Sequence, residues 1–295
     1  MSVKIAKNSG FCFGVKRAIN ISFEVAKTSK EVVTLGPIIH NPQMVKKLSE
    51  KGIVKVEDIS EIQNRPAIIR SHGIKKTDYE NLRNENIEII NATCPYVSKT
   101  QEHAMKLSQA GYQVVILGDK QHPEVEALCS YVDGEVIVVS SEKELPKILS
   151  DKVGVISQTT RKLADFQELT NSLSARCSDL KVINTICNAT SVRQQSTKEL
   201  AQECDIMIVI GGKNSSNTKM LAKISEKFIQ TYHVETMSEI DKKWFNGKEK
   251  IGLTAGASTP DWIIVEVYNK ILKCLGNDDL FVTQVDNIPG FKEEK

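Results

Sequence analysis

The sequence lacks a marked excess of charge of either sign. Its 295 residues include 39 lysines and arginines and 37 aspartates and glutamates, which gives a formal net charge of +2 at pH 7. A surface so nearly balanced offers no extended basic face to nucleic acid or to an acidic membrane. We therefore expect a small-molecule partner, with neither nucleic acid nor a membrane involved.

Long apolar runs and a secretory signal are also lacking. The longest apolar stretches, such as IMIVI at residues 206–210, are far shorter than the roughly 20 residues that a transmembrane helix requires. The first residues show no basic segment followed by an apolar segment and a small-residue cleavage site. These absences predict a cytoplasmic protein, and the chain length predicts two or three packed units.

Closely paired cysteines are the third absence. The seven cysteines are odd in number, and no two of them form a C-x-x-C pair. Such a set indicates a reducing compartment rather than a disulfide scaffold. The thiols are therefore expected to be free or bound to metal, and a metal site must be assembled from distant segments.

Short β-branched runs alternate with helix-like segments along the whole chain. The runs include EVVTLG, AIIRSHG, IEIINATC, YQVVILGD, VGVISQTT, KVINTIC, CDIMIVIGG and KIGLTAGAS. This alternation is typical of an α/β fold with parallel sheets. Because ligands bind at the carboxyl ends of parallel strands, we expect the site in the loops that follow these runs.

An internal repeat predicts three α/β units. An offset of 82 residues relates Cys12 to Cys94, Gly36 to Gly118 and His40 to His122, and an offset of 93 residues relates Cys94 to Cys187 and Gly118 to Gly211. The predicted units are residues 12–93, 94–186 and 187–280, followed by a tail at 281–295. Three similar units predict that their corresponding loops converge on one centre.

Three cysteines occupy the same position in the repeat. Cys12, Cys94 and Cys187 each come directly before a helix-like run, and the positive end of a helix favours the thiolate, which binds metal or attacks a substrate. Three thiolates without a fourth protein ligand suit either a catalytic zinc ion or an iron–sulfur cluster with one open iron, and their spacing does not choose between them. The remaining cysteines are expected to be structural: Cys129, Cys177, Cys204 and Cys274.

The loops also carry neutral side chains that suit an anion. His40 and His122 share one register of the repeat, whereas His103 and His233 fall outside the pattern. Eight histidine, serine, threonine and asparagine side chains in these loops are of this kind. Helix capping explains any one of them, but together they predict a phosphate pocket. They are His40, His72, His122, Thr159, Ser215, Ser216, Asn217 and Ser258.

Glu124 is the carboxylate at the centre of these loops. A carboxylate in the first turn of a helix also simply stabilises the helix dipole. With histidines nearby, Glu124 is the natural residue for proton delivery.

Nine motifs resemble, in order, the IspH (LytB) family of 4-hydroxy-3-methylbut-2-enyl diphosphate reductases. Over residues 10–275 they read GFCFGVKRAI, LGPIIHNPQMV, RSHG, NATCPYV, GDKQHPEVEAL, SQTT, CNATSVRQ, GGKNSSNT and TAGASTPD. The resemblance implies a trefoil of three α/β units around a central [4Fe–4S] cluster, one per chain. Its ligands would be Cys12, Cys94 and Cys187, with one iron open, and residues 1–11 would pack with the third unit.

The same resemblance implies a reaction and a set of roles. The reaction is the two-electron reductive dehydroxylation of (E)-4-hydroxy-3-methylbut-2-enyl diphosphate to isopentenyl and dimethylallyl diphosphate, the last step of the non-mevalonate isoprenoid route. Glu124 is implied as the proton source, Thr159 as the support of the substrate hydroxyl, and His122 as a further catalytic residue. The diphosphate would be held by His40, His72, His122, Ser215, Ser216, Asn217 and Ser258.

The electrons are expected from a separate protein. No G-x-G-x-x-G fingerprint follows a strand, so a flavodoxin, a ferredoxin or a flavin reductase is the expected donor. Two other functions are compatible with the residues alone. They are a cysteine-ligated zinc hydrolase of a phosphorylated substrate and a non-catalytic iron–sulfur sensor.

Overall fold

The computed structural model describes residues 1–29 and 31–291. The chain forms two compact units. We call residues 1–15, 40–44 and 188 onward the terminal unit, and residues 16–39 and 45–187 the internal unit. Strands and helices alternate in both, which confirms the predicted α/β class.

Among the described residues, an α-helix follows every strand except the third, the seventh and the eleventh. The strands are β1 (Ser2–Ile5), β2 (Val32–Leu35), β3 (Ile53–Val56), β4 (Ala67–Ile69), β5 (Ile89–Asn91), β6 (Gln113–Leu117), β7 (Val136–Val139), β8 (Lys152–Ser157), β9 (Asp179–Val182), β10 (Ile206–Ile210), β11 (Thr231–Val234) and β12 (Lys250–Ala255). The α-helices are α1 (Phe13–Thr28), α2 (Pro42–Ser49), α3 (Lys76–Asn84), α4 (Pro95–Gln109), α5 (Pro123–Cys129), α6 (Leu163–Ser174), α7 (Asn188–Glu203), α8 (Ser216–Ser225) and α9 (Asp261–Cys274).

Within residues 1–29 and 31–291 the strands form three sheets of four strands, and every pairing there is parallel. The terminal unit holds the sheet β1-β12-β10-β11, and the internal unit holds the sheets β3-β2-β4-β5 and β7-β6-β8-β9. Parallel sheets need crossover connections, and the helices between the strands supply them. The predicted parallel sheets are therefore confirmed.

One strand order recurs in all three sheets. The edge strands β5 and β9, which lead into Cys94 and Cys187, pair with β4 and β8. In the terminal unit the amino-terminal strand β1 takes the same place and pairs with β12 along Ser2–Ile5. The repeat is thus visible as a common topology, while the boundaries of the three predicted units stay a prediction.

The terminal unit is built around a wholly apolar central strand. All five residues of β10 are buried, and the apolar face of α9 packs on this core through Ile263, Ile264, Val267 and Ile271. These helix positions are spaced by one, three and four residues, as expected for one buried face. Since burying one such side chain stabilises the fold by roughly 1.5–3 kcal/mol, this packing fixes the carboxyl ends of β10 and β12.

The tail also belongs to this core. Val285 and Ile288 are buried in it, and the N–H of Ile5 donates to the carbonyl of Pro289 at 2.9 Å. None of the helices in the described part of the chain is both long and apolar enough to cross a membrane.

The sheet of β6 and β8 in the internal unit is covered on both faces. Phe166, Leu169 and Leu173 of α6 pack on one face, and α4 and α5 pack on the other through residues such as Leu107 and Leu128. Both faces are therefore dry, which explains the continuous apolar runs of these strands. The polar residues that end β8 and begin α5 are held on this rigid support.

Candidate active site

The predicted site residues lie in the loops that follow the strands or in the first turns of the helices after them, and they fall into two groups. The terminal unit contains Cys12, His40, Ser215, Ser216, Asn217 and Ser258, and the internal unit contains His72, Cys94, His122, Glu124, Thr159 and Cys187. Their roles as site residues stay predictions.

The three repeat cysteines share one local structure. Each comes directly before the first residue of a helix, α1, α4 or α7, and each is a half-buried thiol outside any disulfide. In each case the cysteine N–H donates to the carbonyl of the residue two positions after the neighbouring strand. The bonds run from Cys12 to Ala257 (3.2 Å), from Cys94 to Ser71 (3.0 Å) and from Cys187 to Thr159 (3.0 Å).

The other cysteines have a different character. Burial raises the pKa of the Cys129 thiol, and burial followed by the charge of Glu203 raises the pKa of the Cys204 thiol to about 11. Cys274 packs against the terminal core. A raised pKa keeps the Cys129 and Cys204 thiols protonated at neutral pH, and a protonated thiol is a poor metal ligand.

Glu124 and Thr159 form a buried pair in the internal unit. The Thr159 N–H donates to Oε1 of Glu124 at 2.7 Å, and the Thr159 hydroxyl donates to Oε2 at 2.9 Å. Glu124 is only 1% exposed. Burial raises the pKa of the carboxyl group to about 7, although the two bonds from Thr159 oppose that change. A carboxyl group with this pKa can release a proton at neutral pH.

His122 is the amino-terminal cap of α5. Its Nδ1 accepts from the N–H of Glu124 at 3.2 Å, so the proton of the neutral ring lies on Nε2, which is then a donor. The ring meets that of His72 edge to face, with 5.5 Å between the centroids. Helix capping and a ligand-facing donor are therefore compatible in the same side chain.

The internal group is connected without a break. The carbonyl of Thr159 accepts from the main chain of Cys187, its N–H and hydroxyl bind Glu124, and Glu124 follows the cap that contacts His72. The structure thus brings together residues from the loops after β4, β6, β8 and β9. In chain order they are His72, His122, Glu124, Thr159 and Cys187.

The terminal group gathers at β10 and β12. Ser258 Oγ donates to the carbonyl of His40 at 3.1 Å, and a Cβ at Gly212 would lie 2.6 Å from the same oxygen. The main chain of His40 is therefore held closely against both loops. Asn217, which is 3% exposed, has a side-chain amide that finds no hydrogen-bond partner among the described residues.

A buried amide without a partner is costly unless a ligand satisfies it. Ser215 caps α8 by accepting from the N–H of Thr218 at 3.3 Å. Ser216 and Asn217 form the first turn of that ten-residue helix. The start of α8 therefore presents neutral donors and a positive helix end, which together suit an anion.

Two residues with supporting positions were missed by the sequence analysis. His233 on β11 shares a hydrogen bond of 2.9 Å with the carbonyl of Gly211, in the loop that leads to Ser215. Gln158 accepts from the N–H of Asp119 at 3.1 Å and so joins the loops after β6 and β8. Strand pairing places His233 beside Val209, and no local pattern in the sequence records this pairing.

We expect Glu124 to make stability depend on pH. In the unfolded chain its pKa is near the ordinary 4.5, and in the folded protein it is about 7. The folded state therefore binds the proton more tightly than the unfolded chain does. The stabilisation of the folded state from this proton is fully present below pH 4.5 and is lost as the pH rises through 7. Relative to Glu124→Gln, the free energy of unfolding should fall by about 3 kcal/mol between about pH 4.5 and about pH 8.

Urea unfolding of the two proteins at both pH values measures this difference, since other titrating groups cancel between them. Parallel pH dependence in wild type and Glu124→Gln would show that the folded carboxyl group has an ordinary pKa.

The fold and these loops define an α/β enzyme with a buried carboxylic acid among polar strand ends. The chain belongs to the LytB protein family, whose model matches residues 3–272. This finding confirms the resemblance identified from the nine motifs.

Named relatives and solved structures agree with the family. The chain is 49% identical to 4-hydroxy-3-methylbut-2-enyl diphosphate reductase of Geobacter sp. (strain M21) over 92% of this chain and 97% of that protein. It is also 49% identical to the enzyme of that name from Trichlorobacter lovleyi, over 92% and 98% of the two chains.

Two solved structures are similar in fold. One is described as (E)-4-hydroxy-3-methyl-but-2-enyl diphosphate reductase, the terminal enzyme of the non-mevalonate pathway. It is 44% identical, with a TM-score of 0.68 over 92% of this chain and 100% of that one. The other is the E-1-hydroxy-2-methyl-but-2-enyl-4-diphosphate reductase from Plasmodium falciparum, which is 26% identical, with a TM-score of 0.85 over 99% and 92%.

Proposed function

We propose that the protein reduces (E)-4-hydroxy-3-methylbut-2-enyl diphosphate to isopentenyl and dimethylallyl diphosphate, as the last step of the non-mevalonate isoprenoid route. The names of relatives that match 92% of the chain support this activity. The observation that carries it is the buried Glu124, which both main-chain and hydroxyl donors of Thr159 orient. Loss of an alcohol as water needs such an acid.

The cofactor we propose is one [4Fe–4S] cluster per chain with Cys12, Cys94 and Cys187 as ligands. These thiols are half-buried and outside any disulfide, and each precedes a helix in the same register. A set of three cysteines fits a cluster in which one iron has no protein ligand. When bound, the cluster supplies the electrons and a Lewis-acidic iron for the substrate hydroxyl.

The residues around the cluster would bind substrate and move the proton. Glu124 gives a proton to the departing hydroxyl, while Thr159 orients both the acid and the hydroxyl. His122, whose Nδ1 accepts from the Glu124 N–H, would donate a hydrogen bond from Nε2 to the substrate. The allylic alcohol takes up two electrons and two protons and loses water. We assign the diphosphate to donors that do not neutralise Glu124: His40, His72, His122, Ser215, Ser216, Asn217 and Ser258.

The electron donor we propose is a separate protein in the cytoplasm. A flavodoxin, a ferredoxin or a flavin reductase would serve, since the strands of this chain are not followed by a dinucleotide fingerprint.

The proposal is tested on protein purified without oxygen. We expect about four irons per chain, a brown colour, and conversion of the diphosphate to both products with a strong reductant, measured by mass spectrometry. About one zinc per chain with no visible absorbance would instead support a zinc hydrolase. A brown protein that binds the diphosphate without turnover would be a sensor and would contradict the proposal.

Gly212→Ala should weaken substrate binding. The new Cβ would lie 2.6 Å from the carbonyl oxygen of His40, so the His40 main chain must move away from the loop of Ser215. Because a displacement of about 1 Å in a binding group can cost up to a hundredfold, we expect KM for the diphosphate to rise about tenfold, with a smaller change in kcat.

Gly154→Ala is the matched control for crowding. Its Cβ would lie 2.7 Å from Leu107 in the core of the internal unit, so it should lower stability without raising KM. Steady-state kinetics distinguish the two variants. An equal KM for the diphosphate in both would contradict the proposed role of the His40 loop in binding it.

A further inference from the structure

Arg193 on α7 holds the loop that leads into Cys12. Its guanidinium donates through Nη2 to the carbonyl of Gly10 at 3.1 Å, and the residue is only 1% exposed. One turn further along α7, Ser196 Oγ donates to the carbonyl of Lys7 at 2.8 Å. All of these groups lie in the terminal unit. The Cys12 loop is thus fixed from the side of α7.

Arg17 on α1 holds the loop that leads into Cys94. Its Nη1 donates to the carbonyl of Thr93 at 3.0 Å, and its Nη2 donates to the carbonyl of Asn91 at 3.2 Å. This fork spans the residues just before the cysteine and lies within the internal unit. A planar guanidinium is suited to binding two carbonyls in a fixed geometry.

The two loops are also held in the same way on their opposite side. Two residues before each cysteine, the main-chain N–H donates to the last carbonyl of the neighbouring strand. These bonds run from Gly10 to Ala255 (3.4 Å) and from Ala92 to Ile69 (3.1 Å). Each cysteine loop therefore lies between a strand end and an arginine carried by another helix.

Arg193 is buried, and taking its guanidinium out of water to hold a main-chain carbonyl is costly, whereas a neutral donor would hold a simple turn at less cost. Arg17 is only half-buried, and its hold on the Cys94 loop comes from donating to two carbonyls. Both arginines follow a repeat cysteine closely, since Arg17 follows Cys12 and Arg193 follows Cys187. Each reaches the loop of a different cysteine. At two of the three proposed ligands, an arginine from another helix thus donates to main-chain carbonyls just before the cysteine. This shared arrangement indicates a shared function.

We propose that Arg17 and Arg193 are positioning residues that keep the loops of Cys94 and Cys12 in the conformation that binds the cluster. The inference rests on the proposed cofactor. Groups outside the ligands orient them, and their removal commonly costs about 10–100-fold in metal affinity. A fixed positive charge beside a cluster also makes its reduction easier.

The test compares Arg17→Met, Arg193→Met and Arg17→Lys with wild type, each reconstituted without oxygen. We expect both methionine variants to lose iron to a chelator at least about tenfold faster than wild type. The reduction potential of Arg17→Met, followed by electron paramagnetic resonance, should be more negative. Arg17→Lys keeps the charge, so its potential should return to the wild-type value while its iron loss stays faster.

Arg65→Met is the control, because Arg65 also donates to two main-chain carbonyls, those of Ile62 and Glu61, in a turn of the internal unit. Its iron loss and potential should match wild type. Equal iron loss and equal potentials in Arg17→Met and Arg65→Met would overturn the inference. If Arg193→Met does not fold, the Arg17→Met result decides. Wild type that takes up no cluster would refute the proposed cofactor instead.

Discussion

Glu124→Gln should keep its cluster and lose about a hundredfold or more of its turnover. The amide has nearly the shape of the carboxyl group, so its oxygen can still accept from the Thr159 N–H at the position of Oε1. It has no acidic proton at neutral pH. Proton transfer from a positioned acid contributes roughly 10²–10⁴-fold to a rate, and that contribution is what the variant removes.

The pKa of Glu124 strengthens this expectation. Burial raises it to about 7, so a large fraction of the wild-type enzyme carries the proton at neutral pH. The wild-type turnover number should fall as the pH rises above this pKa, because the acid is then ionised. The residual turnover of Glu124→Gln should lose this dependence.

Glu126→Gln is the matched control, since Glu126 lies in the same first turn of α5 but is exposed. Its kcat and iron content should equal those of wild type. Iron analysis, absorbance and steady-state turnover of both variants complete the test. Wild-type turnover in Glu124→Gln would show that the proton comes from another group.

Cys12→Ser should abolish both the cluster and the activity. Serine is a hard oxygen ligand that remains protonated at neutral pH, whereas iron–sulfur clusters are held by thiolates. The Cys12 N–H would still donate to the carbonyl of Ala257, so the local main chain should survive. We expect iron content well below that of wild type after reconstitution, and no measurable product.

Cys274→Ser separates loss of a ligand from loss of a thiol. Cys274 ends α9 and packs against the terminal core, so its replacement should cost some stability but no iron. Full iron content in Cys12→Ser would remove Cys12 from the proposed ligand set. Loss of iron in Cys274→Ser would contradict a purely structural role for Cys274.

Most of the fold could be predicted from the sequence because parallel strands that are buried on both faces have continuous apolar sequences. β10, for example, reads IMIVI and is wholly buried. Three strands were missed, namely β3, β7 and β11, and all three lie at sheet edges. They are four residues long, only partly buried, and no marker residue of the repeat follows them. Short edge strands leave a weak pattern.

The site was only partly predictable for a different reason. The register of the three cysteines is a property of spacing, and spacing can be read directly. The bonds between Glu124 and Thr159 join residues 35 positions apart, and they depend on the parallel pairing of β6 with β8. The amide of Asn217 and the role of His233 likewise depend on packing around β10, which no local pattern records.

The pairing of β1 with β12 has a consequence for biosynthesis. Residues 2–5 leave the ribosome early, but their partner strand at 250–255 is made more than 240 residues later. Because domains fold as synthesis proceeds from the amino terminus, the internal unit can form before β12 is made, while β1 is still unpaired. The loop of Cys12 is therefore completed late, and insertion of the proposed cluster, if Cys12 is one of its ligands, would follow translation of β12.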